Sequence, residues 1–147
     1  MTRNEATERI LAAKHEKGLT FAEIAQAVGR HPVWLTSALL GQATMAADEA
    51  EKAAAALGLG PDVAASLQEA PPRGSLGQAV PVDPAIYRLY EIVQLYGTTI
   101  RALIREMFGD GIMSAIDFEM DIKKRESPKG DRVVITLDGK FLPYHKW

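Results

Sequence analysis

The chain has 147 residues, 47% hydrophobic and 24% charged, which is near the length of one average domain and enough for one or two small cores. Lys and Arg total 17 against 19 for Asp and Glu, and a formal charge of -2 demands neither a polyanion nor a membrane surface as partner. With no Cys the chain has no disulfides, thiol nucleophiles or thiolate metal sites, and three scattered His (His15, His31, His145) make no transition-metal set.

The N-terminus MTRNEATERI lacks a basic region followed by an apolar run, and no stretch approaches the ~20 apolar residues that span a bilayer. The cytoplasm is therefore the expected location, with no membrane partner. From Asn4 to Lys17, Ala6, Ile10, Leu11 and Ala13 fall at helical spacing, and Gly18 follows as a stop. Thr20 with Glu23 forms a capping box for a second helix, whose stripe is Phe21, Ile24, Ala25 and Val28 and whose end is Gly29. His31-Pro32 starts a third helix that runs through Trp34, Leu35, Ala38 and Leu39. An Ala-rich fourth covers Ala46 to Leu57 and stops at Gly58, and Pro61 to Leu67 adds a short fifth. Residues 1–68 thus read as an N-terminal helical bundle.

Residues 69–83 are rich in Pro and Gly and hold no period, the pattern of a linker. Asp83 then caps a helix with Pro84 in its first turn, and Ile86, Leu89, Tyr90, Val93, Ile100, Leu103, Ile104 and Met107 keep a helical period. Gly97-Thr98 is expected to kink that helix or to split it in two. After Gly109-Asp110-Gly111 the period becomes that of a strand: Ile116, Phe118, Met120 and Ile122 alternate with Asp117, Glu119 and Asp121. Lys123 to Asp131 reads as a loop and Arg132 to Leu137 as a second strand. Asp138-Gly139 is a two-residue hairpin signal into a further strand, Lys140 to Leu142. Residues 84–147 are thus α+β, with a sheet too small to be buried by itself, which points to a partner chain.

Thr20 to Leu40 has the order of a helix-turn-helix unit, for which one function is DNA binding. Its second helix, PVWLTSALL, carries no Lys, Arg, Asn or Gln to read base edges, and no basic cluster surrounds it, so a scaffold role is favoured and nucleic acid is not expected as a partner. The long helix is more informative. At 100° per residue Ile86, Tyr90 and Val93 share one side, while Tyr87, Arg88, Glu91 and Leu95 lie roughly opposite. Arg88 and Glu91, at i and i+3, form either an ordinary surface salt bridge worth under ~1 kcal/mol or a held guanidinium on a face covered by another subunit, ready for an anionic ligand. Ser114, in GDGIMSAIDF, is either a turn residue or a hydroxyl offered at a loop-to-strand junction to an anion. It has no nucleophile elbow and no nearby His to act as its base. The row Asp117, Glu119, Asp121 reads as a charged strand face rather than a metal site.

The run DPAIYRLYEIVQLYGTTIRALIREMFGDGIMSAIDFEMDIKK followed by RVVITLDGKFLPY resembles the C-terminal domain of cyanases (cyanate hydratases). LTFAEIAQAVGRHPVWLTSALLGQ is similar to the helix-turn-helix (lambda-repressor-like) bundle of the same enzymes, and Pro72 to Gly74 matches within the linker. The likeness covers nearly the whole chain through YRxYE, YGTT, FGDGIMSAI and ITLDGK in order. It implies a lyase that decomposes cyanate, with bicarbonate as co-substrate, to ammonia and carbon dioxide through carbamate, without metal or organic cofactor. It also implies a homodecamer of five dimers with sites shared between subunits. The family's catalytic Arg, Glu and Ser fall on Arg88, Glu91 and Ser114. An anion-joining site built on paired Arg88 side chains implies inhibition by dicarboxylates such as oxalate. The rival readings are a helix-turn-helix regulator with a C-terminal dimerisation domain, and a non-catalytic oligomeric scaffold.

Overall fold

Local signals set the helices of the N-terminal half. In the computed structural model, which describes residues 1–71 and 79–145, the helices there are α1 (Arg3–Glu16), α2 (Phe21–Val28), α3 (Pro32–Leu39), α4 (Ala47–Leu57) and α5 (Pro61–Gln68). Thr2 and Thr20 cap α1 and α2 with complete capping boxes, each returning a Glu three residues on to its own backbone N–H. Gly29 and Gly58 close α2 and α4 in the left-handed conformation that only glycine adopts without strain. Ala46 has no side-chain oxygen to cap α4, and Glu49 supplies the contact by accepting the Ala46 N–H at 2.9 Å. The same carboxylate is buried and paired with Arg30, whose guanidinium also lies over the Trp34 ring.

Ile10, Ile24, Leu35, Leu39, Leu57, Val63 and Leu67 are each under 2% exposed and fill the centre of this unit. Each such burial contributes roughly 1.5–3 kcal/mol. Arg3 closes the bundle from one end by donating to the carbonyls of Ala38 (2.6 Å), Ala43 (3.2 Å) and Ser66 (2.9 Å). A cation at the C-terminal ends of α3 and α5 meets their negative dipole ends.

The chain divides by its contacts into two units, Met1–Ser75 and Leu76–Trp147, giving an α+β protein. Pro72 to Gly74, and with them residues 72–78 of the linker expected over 69–83, lie outside the described residues. In the second unit Asp83 caps α6 (Pro84–Phe108), accepting the N–H groups of Ala85 at 2.9 Å and Ile86 at 3.1 Å. α6 runs unbroken through Gly97-Thr98, so Thr98 starts no second helix. One Gly costs about 1 kcal/mol against Ala, too little to break a helix otherwise in register. Among the described residues no helix is long and apolar enough to cross a membrane.

β1 (Gly111–Arg125) and β2 (Arg132–Pro143) pair antiparallel from Gly111↔Pro143 to Arg125↔Arg132. The expected loop Lys123 to Asp131 is shorter than its spacing suggests: Lys123 to Arg125 continue β1 opposite Val134 to Arg132, and the hairpin turns beyond them, where Gly130 takes φ +113° and donates to the Ser127 carbonyl at 3.0 Å. Asp138-Gly139 is not a turn: both residues lie inside β2, opposite Glu119 and Phe118. The hairpin signal is a preference of the dipeptide alone, and here the register of β1 overrides it. Ile86, Leu89, Val93, Leu103 and Met107 of α6 are exposed within one chain, and among the described residues of this unit only Ser114 is buried.

Candidate active site

Arg88 and Glu91 project from the early turns of α6, one helical turn apart. Arg88 Nη1 donates to Glu91 Oε2 at 2.6 Å. The carboxylate raises the Arg88 pKa above its ordinary value, first through that hydrogen bond and then through its charge. The guanidinium is therefore cationic at any working pH and is held through Nη1, one of its five N–H donors being engaged in that bond. On the same turns of α6 the Tyr87 and Tyr90 rings have centroids 6.1 Å apart. The Arg88 side chain is 67% exposed within one chain. Alone, so exposed a pair adds little to stability.

Ser114 is not at a loop-to-strand junction, because β1 already begins at Gly111. It sits in a register break between Met113 and Phe118, and it is 6% exposed. Its Oγ accepts the N–H of Ile116 at 3.1 Å and of Asp117 at 2.9 Å. A serine hydroxyl has two acceptor lone pairs and one proton. With both lone pairs engaged, what remains is the O–H donor, which suits an anion and weakens any case for a nucleophile.

The structure thus brings Arg88 and Glu91 into contact, while the hydrogen-bond partners of Ser114 lie on its own strand. Two members of the acidic row meet separate cations: Asp121 meets Lys123 at 2.7 Å and Asp117 lies 3.8 Å from Lys140. Among the described residues no three His, Asp or Glu side chains are grouped to hold a metal ion. The Ile116 and Asp117 amides that organise Ser114 have no counterpart in the sequence reading. Backbone groups leave no residue signature, and only the register break exposes them.

Comparison with known proteins covers both units. Residues 78–146 match the cyanate lyase C-terminal domain family and residues 3–71 the cyanate hydratase N-terminal family. A cyanate hydratase of Synechococcus sp. (strain CC9311) is 55% identical over 141 residues, 96% of this chain and 94% of that protein. One from Parasynechococcus marenigrum (strain WH8102) is 52% identical over 147 residues, the full length of both. The crystal structure of cyanase from T. urticae superposes with a TM-score of 0.84 at 43% identity, covering 94% of this chain and 96% of that one.

Proposed function

The chain belongs to the cyanate hydratase family and is an enzyme of that activity, and we propose that it joins cyanate to bicarbonate through Arg88, Glu91 and Ser114. Both reactants are anions, so bringing them together needs a fixed cation that offsets their repulsion and sets their approach. Arg88 is that cation, and Glu91 is a positioning residue that holds its guanidinium. A bicarbonate oxygen attacks the cyanate carbon, forming one C–O bond. Ser114 donates its proton as a hydrogen bond to the charge that develops. Cleavage of the bond between that oxygen and the former bicarbonate carbon releases carbon dioxide, and uptake of one proton leaves carbamate. Carbamate takes up a second proton and breaks down to ammonia and another carbon dioxide.

One observation carries this reading: the Ser114 hydroxyl, with both lone pairs engaged by backbone amides, has only a donor to offer. Bicarbonate is a co-substrate here, with no organic cofactor or metal in any step. The apolar side chains that α6 exposes favour a site completed by neighbouring copies, as in a homodecamer of five dimers. Ammonia release from cyanate, measured with and without bicarbonate, tests the chemistry. Turnover that proceeds equally well without bicarbonate overturns it, and native mass spectrometry tests the assembly.

A further inference from the structure

Gly139 has no role as a turn residue, and its φ is not among the positive values of the glycines here, so backbone conformation does not demand it. Space does. Met113 pairs with Phe141 and Phe118 with Gly139, so Ser114 to Asp117 lie opposite Lys140 alone, and the surplus backbone of β1 folds into a bulge around the buried Ser114. A Cβ built on Gly139 falls inside van der Waals contact with Met113 Cγ and with the Ser114 carbonyl oxygen, and 3.1 Å from Met113 Sδ. A methionine side chain can swing aside. The carbonyl is backbone, and displacing it turns the peptide that leads to Ile116 and Asp117, whose amides hold the Ser114 hydroxyl.

We propose that Gly139 is a positioning residue of the reaction: by bringing no side chain, it lets β2 press against the bulge and fixes where the Ser114 hydroxyl points. This rests on the donor role assigned to Ser114. A misplacement on the order of 1 Å at a reacting group lowers rates by about 100-fold, so a single methyl group at this contact is enough to matter.

The test compares Gly139→Ala, Ser114→Ala and the double variant as full-length protein, with cyanate and bicarbonate as substrates and ammonia release as readout. Assembly mass and thermal transition are recorded alongside. Gly139→Ala is expected to assemble normally, keep KM for cyanate within about twofold and lose about 100-fold in kcat. The double variant is expected to be no slower than Ser114→Ala, since both changes act through one hydroxyl. Adding Met113→Ala to Gly139→Ala is expected to restore nothing, because the carbonyl contact remains. Losses that multiply, an effect confined to KM or to assembly, rescue by Met113→Ala, or wild-type turnover in Gly139→Ala each overturn the proposal. Full turnover in Ser114→Ala instead overturns the assignment of Ser114, and the role of Gly139 with it.

Discussion

Glu91 accepts from Arg88 at 2.6 Å across one turn of α6, which fixes the guanidinium on a helix that buries none of its residues within one chain. Arg88→Ala removes the cation and is expected to abolish ammonia release. Arg88→Lys keeps a charge but loses the planar fork, and is expected to fall nearly as far. Glu91→Gln keeps the length of the side chain and loses the charge that orients its partner, with an expected drop of about 10-fold in kcat. Glu91 raises the pKa of Arg88, so the cation persists below and throughout the working range. Neither limb of the pH–rate profile is then due to Arg88, and a limb that disappears in Arg88→Lys sinks this assignment.

Ser114→Ala removes a donor aimed at developing charge, for which losses of roughly 100- to 1,000-fold in kcat are usual. It also strips the Ile116 and Asp117 amides of their acceptor. Hydrogen exchange at those two amides is expected to quicken in the same variant. Unchanged exchange contradicts the donor-only hydroxyl, whatever happens to turnover.

If two Arg88 side chains approach across a two-fold interface, as the proposed dimer requires, an anion with two carboxylates fits between them. Oxalate is expected to inhibit at low concentration, while acetate does so weakly. Calorimetry should show oxalate binding lost in Arg88→Ala; binding retained there disposes of the paired cations.

The legibility of the sequence follows the range of each interaction. Thr20 with Glu23, and Gly29 and Gly58, act within one turn of their own helices, so α2 and α4 are readable from spacing alone. Arg88 and Glu91 are legible for the same reason, being three residues apart on one helix. Asp138-Gly139 misleads because the need for glycine there comes from Met113 and Ser114, on the other strand, and a dipeptide preference cannot register a distant backbone. The neighbours of Ser114 in sequence put it at a loop-to-strand junction, and it lies instead in a bulge within β1, which is a property of strand pairing. The buried Glu49 carries no local sign either, because its partner Arg30 comes from the turn before α3.

Glu5 and Glu23 give the N-terminal unit a predictable acid sensitivity. Each accepts the backbone N–H of its capping threonine at 2.7 Å, and that bond is the largest cause holding each carboxyl below its ordinary pKa. A carboxyl depressed in the folded state binds its proton more readily when the chain unfolds. The stability it contributes is therefore complete above the ordinary Glu value of about 4.3 and is lost as pH falls through the lower folded value. Gln can still accept the capping N–H but does not titrate. Denaturant midpoints of the wild type are expected to hold steady from about pH 7 to about pH 5 and to fall below about pH 4.3. The variant carrying Glu5→Gln and Glu23→Gln should start lower and fall less steeply. Some fall remains, because Asp48 and Asp62 are depressed as well, by Lys52 and Arg9. Parallel curves for the two proteins show that the capping boxes do not carry the acid response.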